Sequence, residues 1–226
     1  MLSQDEQFSR SEILIGRQVS KSITGKPVLS EIDFTVYRGD CCLATGRNGS
    51  GKTTLLRLIS GVYLPDQGNI KFQDSGLAVR ASAGRTNLVE ASSYLYPYLT
   101  IEENLNLFSR LSGVDANSWR ESASELGLSP FLKNLVRECS AGTVKKASLV
   151  RALSCEAEVL ALDEPFNFLD PEGRTQLLKL IEEKNKLGRA IIISTNLPEI
   201  KGLEVTQIWK VENFSLELVQ TVKARG

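Results

Sequence analysis

CCLATGRNGSGKTTLLRLI, residues 41–59, decides the fold. Its first five residues, Cys41 to Thr45, make a short and mostly apolar run of the length of a buried strand. The run passes straight into glycines. From Lys52 to Ser60 the residues Leu55, Leu56, Leu58 and Ile59 then fall at helical spacing. Between strand and helix stand Gly46, Arg47, Asn48, Gly49, Ser50, Gly51, Lys52 and Thr53, which fit G-x-x-x-x-G-K-[ST], with Thr54 following in the helix. Glycines let successive main-chain N–H groups turn inward around phosphate oxygens. The start of the helix adds positive dipole at the same place. Lys52 can reach the β- and γ-phosphates, and the Thr53 hydroxyl can bind Mg²⁺. A chance glycine turn would lack the strand before it and the helix after it. The pattern predicts a phosphate-loop core that takes ATP with Mg²⁺.

Further along, VLALDEP at 159–165 sets an apolar strand before Asp163 and Glu164. A carboxylate at the tip of a buried strand is costly unless it meets a cation or donors. Asp163 is placed to hold Mg²⁺, directly or through water. Glu164 is the candidate for orienting and deprotonating an attacking water. Around these two motifs lie further elements. Residues 12–20 and 30–39 alternate as strands, with a turn at Thr24–Pro27; residues 68–73 and 190–195 are also strand-like, and 205–219 reads as a closing hairpin. Residues 101–113, 116–128, 130–139 and 141–154 are helical in pattern, as is 171–188. The expected fold is α/β, with a mostly parallel central sheet and an N-terminal antiparallel β subdomain. An α/β core at about 11–89 and 156–226 would carry an inserted helical lobe at about 90–155, after a polar tail at 1–10.

Three more stretches complete the pattern. CSAGT at Cys139–Thr143 precedes the acidic strand and opens the helix KKASLVRAL; FNFLD spans Phe166–Asp170; STN spans Ser194–Asn196. With the phosphate loop and the acidic strand end, these make the chain resemble the nucleotide-binding domains of ABC transporters over about residues 11–210. CSAGT stands where that family has its LSGGQ signature, FNFLD resembles its D-loop, and Asn196 takes the place of its switch histidine. YPYLTIEENL at 96–105 looks like the segment after its Q-loop. The resemblance implies head-to-tail dimerisation, as a homodimer or with another such domain, with each ATP between one phosphate loop and the other chain's signature. Ser140 Oγ and the Gly142 N–H would then clamp the partner's γ-phosphate. A membrane-spanning subunit on another chain is the implied partner, with the domain at the inner face of a membrane. Tyr94, Tyr96 and Tyr98 form either a wall of that docking groove or ordinary loop packing. A soluble ATPase of an assembly system, or a slow regulatory half of a heterodimer, are the alternatives.

The departures from the family bear on rate. The adenine-stacking position aligns with Ile23, which offers apolar contact without stacking, so adenine selectivity should be loose. The Q-loop glutamine aligns with Ala91, which cannot ligate Mg²⁺; a shift of one residue offers Glu90, which can. Asn196 can donate a hydrogen bond to a γ-phosphate but carries no charge. The chain contains 0 histidines, so nothing substitutes in kind. Binding is expected to be intact and hydrolysis slow.

Bulk properties exclude some classes. The 226 residues carry 27 basic and 27 acidic side chains, a balance that argues against a duplex nucleic-acid footprint and against a polybasic membrane-surface protein. The four cysteines, Cys41, Cys42, Cys139 and Cys155, have no CxxC spacing and read as reduced thiols of a cytosolic interior. No run approaches the ~18 apolar residues of a spanning helix, and the polar N-terminus lacks the apolar core of a signal peptide. Trp119 and Trp209 are expected in the core.

Overall fold

A computed structural model describes residues 11–82, 84–90 and 94–221. The expected tail at 1–10 and the Q-loop candidate Ala91 lie outside the described residues. Strand β1 (Glu12–Ile23) pairs antiparallel with β2 (Lys26–Tyr37), and β4 (Gln67–Phe72) lies on its other edge. The turn between β1 and β2 places Thr24 and Gly25 at positive φ, 49° and 77°. The second sheet has the order β5 (Thr86–Val89), β6 (Val159–Asp163), β7 (Ala190–Thr195), β3 (Cys41–Thr45), β8 (Gln207–Glu212) and β9 (Ser215–Thr221). It is parallel except for the closing hairpin of β8 and β9. The fold is therefore α/β with a mostly parallel central sheet and an antiparallel β subdomain.

The central strands read as continuous apolar runs because both faces are covered. Alternate residues go to opposite sides. Leu43, Leu160, Leu162, Ile191 and Ile193 pack with α4 (Ala141–Leu153) and α5 (Pro171–Lys186) on one face. Cys42, Ala44, Val159, Ala161 and Ile192 pack on the other face with α1 (Lys52–Ile59) and the β1–β2–β4 sheet. On α1 the residues Leu55, Leu56, Leu58 and Ile59 are all fully buried, each contributing about 1.5–3 kcal/mol. No disulfide joins the four cysteines, and no helix among the described residues is long and apolar enough to cross a membrane. Trp119 and Trp209 are core residues at 1% and 2% exposure.

The segment between β5 and β6 holds α2 (Ile101–Leu111), α3 (Arg120–Glu125) and α4. Thr100 and Glu103 cap α2 reciprocally, the arrangement of a capping box. Two sequence expectations shorten here. In 116–128 only Arg120–Glu125 is helical, because an Asp115 turn precedes it and Gly127 at φ 64° ends it. In 130–139 there is no α-helix, only brief 3₁₀ turns at Ser129–Phe131 and Val136–Glu138. The main chain there bonds sideways to residues 97–102: Ile101 N–H to Asn134 O at 3.1 Å, Glu102 N–H to Leu132 O at 2.9 Å, Val136 N–H to Leu99 O at 3.1 Å. Those partners replace the i to i−4 bonds that the apolar spacing alone suggests. The strand β5, with only Leu88 and Val89 apolar, had no sequence signal of its own.

Where β1 and β4 shift register, the pairing depends on one glycine. Gly68 has φ 76°, and a Cβ there would stand 2.2 Å from Gln18 O and 2.3 Å from Arg17 O. Backbone cannot yield as a side-chain tip can. Gly68→Ala is expected to cost on the order of 2–3 kcal/mol, read as a lower urea midpoint at constant slope. An unchanged midpoint would show that the bulge adjusts freely.

Candidate nucleotide site

The register of the parallel sheet brings the chemistry to one edge. Ala44 of β3 pairs with Ser194 of β7, and Ser194 pairs with Asp163 of β6. On β6's other side Val89 pairs with Leu162, which sets Glu90 next to Asp163. The phosphate loop leaves β3 at this same edge. Gly46, Gly49 and Gly51 all have positive φ, at 154°, 78° and 109°. A Cβ on Gly46 would stand 2.3 Å from Val211 O and 2.7 Å from Ser50 Oγ; one on Gly51 would press on Val28 at 3.1 Å. The loop is therefore folded tightly between β8 and the start of β2. Ile23 is half-buried at the tip of that same β1–β2 hairpin.

Helix α1 begins without a capping side chain or an acid in its first turn, whereas α4 and α5 are capped by Ser140 and Asp170. Its first N–H groups thus have no side-chain acceptor. The Ser50 hydroxyl on the loop is buried and has no partner. An uncapped helix start and an orphaned donor beside inward-turned glycines fit a phosphate. Lys52 is buried and donates to Gly46 O at 2.8 Å, Arg47 O at 3.1 Å and Asn196 Oδ1 at 2.7 Å. Burial lowers its pKa, with Glu164 and Asp163 opposing that shift.

Thr53 Oγ1 donates to Asp163 Oδ2 at 2.8 Å, and Ser194 Oγ donates to Asp163 Oδ1. A hydroxyl and a carboxylate this close are a hard-oxygen pair of the kind Mg²⁺ takes when phosphates and water complete its shell. Asp163 itself is 6% exposed. Glu164 follows at φ 45°, a left-handed conformation that costs a non-glycine residue about 1 kcal/mol or more. Its N–H is shared between Ser194 O and Ser194 Oγ, both at 3.2 Å. Partial burial raises the Glu164 pKa above the ordinary carboxylate value, and Lys52 partly counters it. The Asn196 N–H donates to that carboxylate. Asn196 thus touches Glu164 through its main chain and Lys52 through its side chain. A groove of about 920 Å³ opens onto both Glu164 and Asn196.

The expected signature residues lie apart from this cluster. Ser140 caps α4, accepting from the Thr143 N–H at 3.2 Å. Gly142 is required by packing, since a Cβ there would stand 2.8 Å from Phe168 O of the FNFLD segment. Glu90, offered as a Q-loop candidate, is 4% exposed, and its carboxylate accepts from Arg57 Nε and Tyr94 Oη. Two contributors were missed in the sequence. Ser194 was noted only as a neighbour of position 196. Lys145 was passed over as part of a basic run, although it falls on the face of α4 shared by Ser148, Leu149 and Ala152, all buried. Helical spacing alone flags a lysine on an apolar face.

The profile of the ABC transporter family matches residues 29–167. The chain belongs to this family of ATP-binding domains. It is 34% identical over 189 residues to the Nod factor export ATP-binding protein I of Burkholderia orbicola, covering 81% of this chain and 62% of that one. The protein of the same name from Bradyrhizobium diazoefficiens is 31% identical over 187 residues, covering 80% and 61%. The chain thus spans about 62% of the length of these curated relatives. Among solved structures, the ATP-binding subunit of an ABC transporter superposes with a TM-score of 0.82 at 25% identity, covering 92% of this chain and 90% of that one. ATP hydrolysis is the general activity of this family.

Lys52 is the one cation that hydrogen-bonds within the loop. With ATP on the loop, Lys52→Ala is expected to remove charge-assisted bonds to two phosphates, each about 1.5–3 kcal/mol. We expect tight MgATP binding to be lost in a calorimetric titration. Equal affinity in the variant would remove the loop from the nucleotide site.

Proposed function

We propose that this chain is the ATP-hydrolysing subunit of an ABC transporter, powering a membrane-spanning subunit on another chain through ATP-dependent head-to-tail dimerisation. The observation that carries the reading is the convergence of Thr53, Asp163 and the glycine-cradled loop on one sheet edge. In this reading the main-chain N–H groups of Gly46 to Thr54 and the Lys52 ammonium bind the phosphates. Thr53 and Asp163 hold Mg²⁺, which neutralises charge on the β- and γ-phosphate oxygens. Glu164 orients a water and takes its proton as the water oxygen attacks the γ-phosphorus and the bridging oxygen leaves with ADP. Ile23 lies against the base. Ser140 and the Gly142 N–H, at the exposed start of α4, serve the nucleotide of a second domain, identical or not. The names of the curated relatives favour export as the direction.

The site is built for slow turnover. Asn196 offers the γ-phosphate a neutral amide where the family has a histidine, so one contact to developing charge is weakened. Losing a donor of this kind outright costs on the order of 10²–10³ in rate, and an amide recovers part of it. Steady-state phosphate release should be slow for the wild type, faster for Asn196→His and absent for Glu164→Gln. A wild type at ordinary family rates, or an Asn196→His variant no faster while Glu164→Gln is dead, would place the limit elsewhere.

The membrane partner would dock on the tyrosines. Tyr94, Tyr96 and Tyr98 are 46%, 52% and 74% exposed, and Tyr96 stacks on Phe108 at 6.1 Å. Arg151 and Arg137 lie over the rings of Tyr94 and Tyr98. Aromatic side chains backed by arginine are the usual anchors of interfaces. Replacing all three by alanine should abolish co-purification with a polytopic membrane protein from solubilised membranes and leave ATP affinity unchanged. Full recovery of the partner would reduce the tyrosines to packing.

A further inference from the structure

Lys145 is a buried cation that the reading above does not use. It sits in the second turn of α4 and is 5% exposed. Its Nζ donates to Asp163 O at 3.1 Å and to Glu90 O at 3.4 Å. No carboxylate among the described residues forms an ion pair with it within 4.0 Å. Keeping an ammonium in such a place is expensive, and an apolar side chain of similar length would stabilise the fold better. Both carbonyls that it binds belong to residues at the catalytic edge, where β5 and β6 end side by side. Burial pushes its pKa down to about 8, and the charges of Asp163 and Glu164 oppose that shift. Lys52 also acts on Glu164, but it belongs to α1 on the opposite face of the sheet.

We propose that Lys145 is a positioning residue for ATP hydrolysis: it pins the main chain at the tips of β5 and β6 and sets an ammonium behind Asp163 and Glu164. From there it holds the carboxylates in line with Thr53 and the water site. Because Ser140 caps α4 and Gly142 lies in its first turn, the same helix carries both the proposed contact to a second domain and this hold on the chain's own base. The inference rests on the ATPase reading of this site.

The test uses the full chain and four proteins: wild type, Lys145→Met, Lys145→Gln and Lys145→Arg. Phosphate release gives kcat and KM, and calorimetry gives ATP affinity with and without Mg²⁺. Gln keeps hydrogen-bond donors without charge; Arg keeps both. Met and Gln should lower kcat about tenfold or more with KM within about twofold, and Arg should recover most of the rate. The gain in ATP affinity on adding Mg²⁺ should also shrink about threefold or more in Met, because Asp163 loses its main-chain anchor. A Gln variant with wild-type kcat overturns the role of the charge, and it does so even if Met fails to fold. A wild type that binds ATP without hydrolysing it leaves the Mg²⁺ effect to decide. A wild type that binds no ATP at all overturns the ATPase reading, and this inference with it.

Discussion

The carboxylate of Asp163 is buried at the end of a central strand, and protein groups must do for it what water cannot. Thr53 and Ser194 each donate a hydroxyl to one of its oxygens. Those two residues come from separate elements, Thr53 from the first turn of α1 and Ser194 from β7. A single buried carboxylate therefore ties α1, β6 and β7 together at one edge. Removing either donor would leave an oxygen unsatisfied, at about 1–3 kcal/mol. The same arrangement makes the place suitable for a divalent cation, since both hydroxyls and the acid already point at one another.

Around that centre the main chain is held under strain. Glu164 sits in a left-handed conformation that its side chain disfavours, and its N–H is engaged by Ser194 twice. The turn aims the carboxylate at the Asn196 N–H and the Lys52 charge. Phe168, at φ 65°, bends the following segment so that its carbonyl rests against Gly142 of α4. Asp170 then caps α5 and lies 3.5 Å from Lys146. Helix α4 is thus braced against the Phe166–Asp170 segment at its first turn and against the end of β6 at its second.

Much of this was legible because its causes are local. The runs at 41–45, 159–163 and 190–195 coincide with β3, β6 and β7 to the residue, since a strand buried on both faces is apolar along most of its length. The phosphate loop shows in its glycines, whose φ values only glycine adopts without cost. What stayed hidden depends on distant partners. Segment 130–139 has a helical pattern, but its carbonyls and amides are claimed by residues 97–102. Strand β5 has only two apolar residues, and its pairing with β6 places it. Glu90 reads as a free acid until Arg57 and Tyr94 are seen to hold it. Lys145 is a surface charge by composition and a buried one by helical phase.

The neutral side chain at position 196 has a consequence beyond a missing charge. An imidazolium beside Lys52 would repel it, whereas the Asn196 amide oxygen accepts from it at 2.7 Å. With Gly46 O and Arg47 O, that bond engages all three N–H groups of the ammonium inside the protein. In the proposed reading a phosphate has to replace protein acceptors that are already well placed, and the net gain is smaller than for a free ammonium. The amide has a donor end as well. Once Lys52 turns to phosphate, the same side chain can rotate and present its NH₂ to the γ-phosphate. Asn196 can thus hold the lysine in the resting site and contact the nucleotide in the filled one. In neither state does the neutral amide add positive charge, so under the proposed ATPase reading the charge that bond breaking requires would come from Lys52, Mg²⁺ and a neighbouring helix start.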